Sequence, residues 1–491
     1  MTLKDLFGQY QQNLPAMEVK GITQNSAEVL AGFVFFAVKG HSVDGHNFID
    51  AAIKNGAIAI VSEEEIKQTT SVPVIKVSNI DEAMANVACK FYNNPAGKLG
   101  VVGITGTKGK TSIAYLLESI LMTAGRRPTV FGTINYRING EVISQAPNTT
   151  PVALTLQKMI AQAAAQKSTD LVMEVSSHAL ELKRVDGIAF DTAIFTNLQR
   201  DHLDFHHNFK NYFAAKKKLF ENLLNDANSV QNAPQKNRFA VINEDDHYGQ
   251  RLIAFLKDTK VKVLTYGIEN KADFMASDIK ADINGVDFKI NGLPAHINLL
   301  GKHNVYNALA ATAAAKTRNV NLETAIKGLA ALTGVPGRME RVNLGQKFYV
   351  FVDFAYTNEA LLRAYDTVVP FKKGKIITVF GCGGQRDTTK RPLMGATAAK
   401  YSDLVLITKD NPRKEDPNNI FIDILKGMAW QDNFKIIPDR RQAIFEAIKT
   451  AKQQDIVIIA GKGHEDYQIL PSGKIHFSDK EEAVKAIKNY V

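Results

Sequence analysis

One stretch, VVGITGTKGKTS (Val101 to Ser112), constrains the fold more than any other part of this 491-residue chain. It contains an apolar run, a glycine-rich turn and then Lys-Thr. The next segment, SIAYLLESILMTAG, places apolar residues at helical spacing. A strand, a glycine-rich loop and a helix in this order are typical of a phosphate-binding loop, whose backbone amides face phosphate oxygens. The stretch therefore predicts a nucleotide-binding α/β domain.

The chemistry of such a loop assigns roles to individual residues. Glycines let the backbone approach the phosphates, a lysine reaches the terminal phosphates, and a serine or threonine binds Mg²⁺. The first glycine stands one residue early, because position 104 is Ile and Gly103 precedes it. An ordinary strand-to-helix turn is the alternative interpretation. We expect ATP to bind through Gly106, Thr107, Lys108, Gly109, Lys110, Thr111 and Ser112.

The net charge of +10 raises the question of a nucleic-acid partner. Lysines and arginines are scattered, however, and the densest cluster, AAKKKLF, holds only three lysines and few aromatic neighbours. Small anionic substrates explain the charge equally well. We therefore expect small-molecule substrates, no nucleic acid and a monomeric chain.

Cysteine use and hydropathy predict the compartment. Cys89 and Cys382 are far apart and have no metal-ligand spacing, which fits a reducing cytoplasm. The N-terminal MTLKDLFGQYQQ has no apolar signal core, and no run approaches about eighteen apolar residues. We expect a cytoplasmic protein that does not insert into a membrane.

Length and boundary signals predict three α/β domains. At about 100–200 residues per domain, 491 residues suggest about three. Pro95-Ala-Gly97 marks a first boundary, and LTGVPGRMER marks a second. We predict domains at 1–97, 98–333 and 334–491. In the third, the loops VDFAYTNE, GCGGQRD, KDNPRKED and GKGHEDYQ each follow an apolar run and should meet at the carboxyl edge of a parallel sheet.

Several motifs together resemble the Mur ligase family, which joins amino acids onto the peptide of the cell-wall precursor. Besides GITGTxGKT, they are NTTP (148–151), EVSSHAL (174–180), DHLDFH (201–206), YFAAK (212–216), PGRME (336–340), KRPLMG, DNPR and GKGHEDYQ. The resemblance covers nearly the whole chain and is closest to the members that add the third residue of the peptide. It implies a small N-terminal UDP-binding domain, a central P-loop ATPase-like domain and a C-terminal Rossmann-like domain.

The resemblance also implies an acyl-phosphate mechanism for peptidoglycan synthesis. ATP phosphorylates a carboxylate of UDP-MurNAc-L-Ala-D-Glu, and an amine then attacks the mixed anhydride. Because the substrate carboxylate and the triphosphate are both anionic, bringing them together requires cations and positioning more than proton transfer. The implied catalytic residues are Lys110, Glu174, His202 and Lys216, and the implied Mg²⁺ contacts are Thr111, Glu174, His202 and a CO₂-derived carbamate on Lys216. Taken without the motif, Lys216 would be one of three solvated helix lysines.

The remaining substrate contacts are likewise implied by the resemblance. For ATP they add Asn304, Arg338 and Asp353. For the nucleotide sugar they are Ser26, His41, Ser42, Val43, Asn148, Thr149, Thr150, Ser176 and Arg184. For the amino acid that is added, which the resemblance implies to be diaminopimelate, they are Arg386, Asp410, Asn411, Pro412, Arg413, Gly461 and Glu465.

Arg413 bears on which amino acid is added. Lysine and meso-diaminopimelate differ by one carboxylate at the far end of the side chain, and a guanidinium binds a carboxylate bidentately. We therefore expect meso-diaminopimelate as the substrate and lysine to be poor. The alternative is a surface ion pair of Arg413 with Glu415 or Asp416.

The chain departs from the family pattern at several positions, among them Ala27, Lys108, His303, Tyr356 and Gln385. Ala27 replaces an arginine, and Tyr356 replaces a histidine near the expected nucleotide. These departures keep two other interpretations open. One is a divergent ligase that adds another amino acid, such as L-lysine, or acts in another peptide pathway. The other is a non-catalytic nucleotide-binding scaffold, which would be expected to have lost Lys110, Glu174 or the arginine loops.

Overall fold

The computed structural model describes residues 1–40, 43–66, 69–224 and 237–490. These residues form two packed units. The first comprises residues 1–277, 290–293 and 306–331, and the second comprises 278–289, 294–305 and the chain from Leu332 onward. Across the described ranges, no helix has the length and apolar character needed to cross a membrane.

The N-terminal part of the first unit contains a parallel four-stranded sheet, which follows chain order. Its strands are β1 (Gly21–Thr23), β2 (Phe33–Ala37), β3 (Ala57–Ser62) and β4 (Val74–Lys76), and its helices are α1 (Leu3–Phe7), α2 (Ile49–Lys54) and α3 (Ile80–Phe91). Strands β2 and β3 and helix α3 are buried, as expected from their apolar sequences. The Asn79 side chain caps α3 by accepting from the amide of Glu82 at 2.8 Å.

The larger sheet of the first unit positions the phosphate loop. Its strands begin with β5 (Gly100–Thr105), β6 (Pro128–Phe131), β7 (Asn135–Ile138) and β8 (Glu141–Gln145). They continue with β9 (Asp170–Glu174), β10 (Thr192–Phe195), β11 (Phe239–Asn243) and β12 (Lys262–Gly267). Six of its parallel strands lie in the order β12-β11-β10-β5-β9-β6, followed by antiparallel β7 and β8. Strands β5, β9 and β10 are buried throughout, which is why their sequences are continuous apolar runs.

The strand order switches at β5, whose parallel neighbours are β9 on one side and β10 on the other. In open α/β sheets, ligands bind beyond the carboxyl ends of the strands at such a switch point. Helix α4 (Lys110–Thr123) starts at this point, and its apolar residues Ile113, Leu116, Leu117, Ile120 and Leu121 are all fully buried. The other segments up to residue 331 are α5 (Ala153–Ala165), α6 (Ser177–Glu181), α7 (Leu203–His206), α8 (Phe209–Leu224), α9 (His247–Leu256), β13 (Phe274–Asp282), β14 (Gly285–Ile290), β15 (Leu293–Ile297), α10 (Lys302–Thr317) and α11 (Leu322–Ala331).

The second unit is built on a six-stranded sheet in the order β16-β17-β21-β18-β19-β20, in which only β16 is antiparallel. Its strands are β16 (Glu340–Arg341), β17 (Tyr349–Asp353), β18 (Ile376–Phe380), β19 (Leu404–Ile407), β20 (Phe434–Ile436), β21 (Ile456–Ala460) and the hairpin β22 (Tyr467–Leu470) and β23 (Gly473–His476). Its helices are α12 (Asn358–Val368), α13 (Lys390–Tyr401), α14 (Pro417–Leu425), α15 (Arg440–Thr450) and α16 (Asp479–Tyr490). Because β17, β21, β18 and β19 are parallel neighbours, the four polar loops follow strands that end at one edge of the sheet. This confirms the prediction from the sequence.

Candidate active site

The phosphate loop is a tight turn that depends on two glycines. Gly106 and Gly109 have φ angles of +139° and +92°. A Cβ atom at Gly106 would lie 1.8 Å from Thr196 Oγ1, so the site has no room for a side chain. Asn197 holds the turn, because its carbonyl accepts from Thr107 N at 2.8 Å and its Oδ1 accepts from Lys108 N at 3.1 Å. Helix α4 then begins at Lys110, and the amides of a helix's first turn have no intrahelical partners, which suits an anion.

Two lysines of the loop have different partners. Lys110 Nζ donates to the carbonyls of Gly106 at 2.9 Å and Thr107 at 3.0 Å. Lys108 Nζ is instead paired with Asp201 Oδ2 at 3.1 Å. Burial alone would raise the pKa of Asp201, but the charges of Lys108 and His202 outweigh it and lower that pKa. The charge of Lys108, which departs from the family pattern, is therefore compensated by Asp201.

Glu174 is the carboxylate next to the loop. It ends β9 and is 1% exposed. Its Oε2 accepts from Thr111 Oγ1 at 3.0 Å and from Thr133 Oγ1 at 2.9 Å, and its Oε1 accepts from Thr133 N at 2.9 Å. Mg²⁺ is usually held by one or two carboxylates together with phosphate and water oxygens. The oxygens of Thr111 and Glu174 fit that ion. Among the described residues, no group of three or more His, Cys, Asp or Glu side chains is arranged so that it could hold a metal ion.

Lys216 is buried, unlike the two lysines that follow it on α8. Its side chain is 1% exposed, and Nζ donates to Gly106 O at 2.9 Å. Lys217 and Lys218 have side chains 28% and 43% exposed, and they pair with Glu221 and Glu181. Burial, together with the charge of Lys110, holds the pKa of Lys216 well below its ordinary value. A lowered pKa increases the fraction of lysine present as the uncharged amine, which is the form that reacts as a nucleophile.

His202 lies in a cluster of rings rather than alone. Its ring centroid is 4.9 Å from that of His178 and 6.3 Å from that of Tyr212. Its amide donates to Asp201 Oδ1 at 3.2 Å, and its backbone is left-handed at φ +52°. Burial lowers the pKa of His202; the charge of Asp201 opposes this effect, and the charge of Lys110 adds to it.

The residues expected to contact the nucleotide sugar form a connected set around β9. Thr150 Oγ1 donates to Glu174 O at 2.8 Å and accepts from Ser176 N at 3.1 Å, while Arg184 Nη1 donates to Thr150 O at 3.0 Å. Thr149 Oγ1 lies 3.2 Å from Thr133 Oγ1, and Asn148 O accepts from the Tyr136 hydroxyl. Thr150 therefore contacts Ser176 and Arg184, which are expected to bind the sugar, and also the backbone of Glu174, the candidate metal ligand.

The nucleotide-sugar contacts predicted in the N-terminal part follow β1 and β2 in the chain. Ser26 begins a short 3₁₀ helix, and its carbonyl accepts from Asn55 Nδ2 at 3.0 Å. Ala27, where the family has arginine, donates its amide to Asn25 Oδ1 at 3.1 Å. Val43 is 58% exposed. His41 and Ser42 lie outside the described residues.

Three of the predicted ATP contacts lie in the second unit. Asn304 is buried, and its Nδ2 donates to Leu300 O at 2.8 Å and contacts His303 Nε2 at 3.2 Å. Asp353 accepts from Met339 N at 2.7 Å, and burial raises its pKa to about 6. The guanidinium of Arg338 lies 5.8 Å from the centre of the Phe354 ring, which also contacts the ring of Tyr356 at 4.9 Å.

Arg413 leads the predicted diaminopimelate site. Its Nη1 donates to two carbonyl oxygens, Gly384 O at 2.9 Å and Asn411 O at 3.3 Å. Glu415 is engaged by the buried Arg391 at 2.7 Å, and Asp416 caps α14, so the ion pair considered as the alternative does not form. Across the part of the chain that is described, no carboxylate contacts the Arg413 guanidinium. A half-buried cation bonded to uncharged oxygens suits an incoming carboxylate.

Glu465 is held by three donors. Its Oε2 accepts from Asn411 Nδ2 at 3.0 Å and from Lys462 Nζ at 3.0 Å, and its Oε1 accepts from the Tyr467 hydroxyl at 3.3 Å. Lys462 is fully buried and was missed by sequence reasoning. The signal for it was its place in GKGHEDYQ, directly after a buried strand and three residues before Glu465.

The other predicted residues of this site differ in burial. Asp410 and Pro412 are buried beside Asn411, and burial raises the pKa of Asp410. A Cβ atom at Gly461, where φ is +120°, would lie 2.7 Å from Asp410 Oδ2. Arg386 is exposed, and its neighbour Gln385 donates its amide to Glu415 Oε2 at 2.7 Å.

A phosphate loop on a switch-point sheet, followed by a Rossmann-like unit with polar loops at one sheet edge, defines a nucleotide-dependent α/β ligase. Residues 18–92 match the Mur ligase family, catalytic domain. Residues 104–315 match the Mur ligase middle domain, and residues 337–463 match the Mur ligase, glutamate ligase domain. The chain belongs to the Mur ligase family and has its three α/β domains.

Its relatives include UDP-N-acetylmuramoyl-L-alanyl-D-glutamate–2,6-diaminopimelate ligase 1 of Clostridium acetobutylicum, 41% identical over 99% of both chains. The ligase of the same name from Bacillus cereus is 42% identical over 96% of this chain and 94% of its own. A solved structure of a UDP-N-acetylmuramoyl-L-alanyl-D-glutamate–2,6-diaminopimelate ligase is 30% identical and covers 100% of this chain and 99% of its own, with a TM-score of 0.71. MurF from Acinetobacter baumannii, at 18% identity, 94% and 95% coverage and a TM-score of 0.66, shares the fold.

Proposed function

We propose that this chain is an ATP-dependent ligase that adds meso-diaminopimelate to UDP-MurNAc-L-Ala-D-Glu in peptidoglycan synthesis. The observation that carries the proposal is the 41% identity over 99% of both chains with a relative named for that reaction. The retained Lys110, Glu174 and Arg413 support catalysis rather than a binding-only scaffold.

In the first half of the reaction, a substrate carboxylate oxygen attacks the γ-phosphorus of ATP. The bond from that phosphorus to the β-phosphate oxygen breaks, which yields ADP and an acyl phosphate. Lys110 and the first turn of α4 bind the phosphates, and Thr150, Ser176 and Arg184 orient the nucleotide sugar. The other proposed nucleotide-sugar contacts are Ser26, His41, Ser42, Val43, Asn148 and Thr149, and the other ATP contacts are Asn304, Arg338 and Asp353.

Thr111, Glu174, His202 and Lys216 would hold Mg²⁺, with Lys216 as its carbamate. Mg²⁺ neutralises charge as the phosphoryl group is transferred. The burial of Lys216 supports the carbamate, because an uncharged amine is the form that takes up CO₂. Its Nζ then becomes part of an anionic oxygen donor.

In the second half, the amine of diaminopimelate attacks the acyl carbon and phosphate leaves. Arg413 would bind the carboxylate at the far end of the amino acid, and Glu465, held by Lys462 and Asn411, would bind an ammonium. Arg386, Asp410, Pro412 and Gly461 complete the proposed pocket. We further propose domain limits of 1–97, 98–333 and 334–491 for a monomer in the cytoplasm.

The test is phosphate release by the purified chain with ATP, Mg²⁺, UDP-MurNAc-L-Ala-D-Glu and a panel of meso-diaminopimelate, L-lysine and L-ornithine. Mass spectrometry identifies any tripeptide product. We expect phosphate release and product with diaminopimelate. Product with lysine alone would indicate the divergent ligase, and binding of ATP without any product across the panel would indicate the scaffold.

A further inference from the structure

The Tyr212 side chain connects the phosphate loop to Lys216. It is 1% exposed and projects from α8 one turn before Lys216. Residues four apart lie on the same face of a helix, so both side chains are directed to the same buried region. There the Tyr212 hydroxyl lies 3.2 Å from Thr107 Oγ1, and its ring centre lies 4.4 Å from Lys216 Nζ.

The hydroxyl contact fixes one residue of the loop. Thr107 is also buried, and its Oγ1 accepts from Gln199 N at 3.0 Å and lies 3.4 Å from Gln199 O. A tyrosine hydroxyl carries its proton at neutral pH and can therefore donate to Thr107 Oγ1. The Thr107 carbonyl is in turn an acceptor for Lys110 Nζ at 3.0 Å.

The ring contact fixes the lysine. The Tyr212 ring centre lies 4.4 Å from Lys216 Nζ, which donates at 2.9 Å to Gly106 O, the loop carbonyl that also accepts from Lys110. The Tyr212 ring also lies 5.0 Å from the His206 ring, centre to centre, and His206 Nε2 contacts Ser177 Oγ at 2.8 Å. Ser177 lies in the segment that carries Glu174 and Ser176.

We propose that Tyr212 is a positioning residue with two separable roles. Its hydroxyl holds the phosphate loop in the shape that binds nucleotide, and its ring aligns Lys216 for the phosphoryl transfer. The proposal rests on the proposed function, since it assumes that both loop and lysine serve that reaction.

Two substitutions separate the roles. Tyr212→Phe keeps the ring and removes the hydroxyl, so the Kd for ADP by calorimetry and the KM for ATP should rise about 5- to 10-fold while kcat changes less than about 2-fold. Tyr212→Leu removes the ring as well, and kcat should fall about 10- to 100-fold because Lys216 loses its alignment.

Tyr266→Phe is the matched control, because Tyr266 is equally buried, lies on β12 in the same unit, and its hydroxyl donates to Phe195 O at 3.0 Å. It should lower thermal stability like Tyr212→Phe and leave the ADP Kd, the KM for ATP and kcat unchanged. An ADP Kd for Tyr212→Phe within about 2-fold of the unmodified protein would overturn the hydroxyl role. A kcat for Tyr212→Leu equal to that of Tyr212→Phe would overturn the ring role. Because ADP binding is measured without turnover and kcat is compared with the active unmodified protein, failure of the proposed function would be recognised separately.

Discussion

Substitution of Arg413 by alanine tests the choice of amino acid most directly. The guanidinium donates to Gly384 O and Asn411 O and, among the described residues, to no carboxylate. A bidentate contact to the distal carboxylate of diaminopimelate would add two charge-assisted hydrogen bonds of about 1.5–3 kcal/mol each. At about 1.4 kcal/mol per tenfold change, their loss lowers kcat/KM for diaminopimelate by about 10²- to 10⁴-fold.

The same substitution should act differently on the other substrates. Lysine lacks the distal carboxylate, so its already low kcat/KM should change less than about 3-fold or rise, because a repelling cation is gone. The KM for ATP should stay within about 2-fold, since none of the Arg413 contacts belongs to the phosphate loop. Arg413→Lys, which keeps the charge and loses the planar fork, should fall between alanine and the unmodified protein.

The assay is phosphate release with varied diaminopimelate, lysine or ATP, accompanied by thermal unfolding of each variant. Lys414→Ala is the control, because Lys414 is the exposed cation next in sequence. Our reasoning about Arg413 would be refuted by equal kcat/KM values for lysine and diaminopimelate in the unmodified chain. A rise in the KM for ATP as large as that for diaminopimelate would refute it too.

Three further predictions concern the first unit. Lys110→Ala should lower ATP turnover by about 10²-fold or more with little change in thermal stability, whereas Lys158→Ala, which changes an exposed helix lysine, should not; turnover near that of the unmodified chain would contradict the phosphate-loop assignment. Lys216→Ala should impair turnover and regain part of it with added formate or acetate, while Lys217→Ala stays active; equal behaviour of the two variants would make Lys216 a structural lysine. Burial lowers the pKa of His206 to about 4 in the folded chain, whereas the unfolded value is about 6.5. As the pH falls through this window, the unfolded chain binds a proton at His206 before the folded chain does. This difference lowers the free energy of unfolding by about 2–3 kcal/mol. His206→Asn should therefore lose less stability than the unmodified chain between pH 7 and pH 4.5 in denaturant titrations, and parallel losses would rule this out.

The burial of Lys216 could be anticipated from helical geometry. On α8, the buried positions Tyr212, Phe213, Lys216, Leu219, Phe220 and Leu223 recur every three or four residues, so only one of three consecutive lysines can lie on the inner face. Its aromatic neighbours and the shared Gly106 carbonyl could not be anticipated. They depend on how α8 packs against β5, whose loop is 110 residues away in sequence from Lys216.

Other contacts could not be anticipated for the same reason, because they join residues that are far apart in the sequence. The pairing of Lys108 with Asp201 joins residues 93 positions apart, so the sequence showed an additional cation and not its partner. The support of Glu465 by Asn411 spans 54 positions and depends on β19 and β21 both lying beside β18. Motif spacing indicated which residues carry the chemistry, whereas the contacts that set their charge and orientation arise from strand order.

The scattered lysines and arginines favoured small anionic substrates over nucleic acid as the reason for the net charge of +10, and the surroundings of individual cations point the same way. Surface cations such as Lys39 and Lys435 already have carboxylate partners, Glu64 and Glu446. Arg413 instead donates to backbone carbonyls. A carbonyl dipole compensates a cation less than a carboxylate does, so this site gains most when a charged oxygen arrives. Its position beyond a sheet edge, in a chain that also has a phosphate loop, matches a reaction between a triphosphate and an amino acid with two carboxylates better than it matches a continuous nucleic-acid backbone.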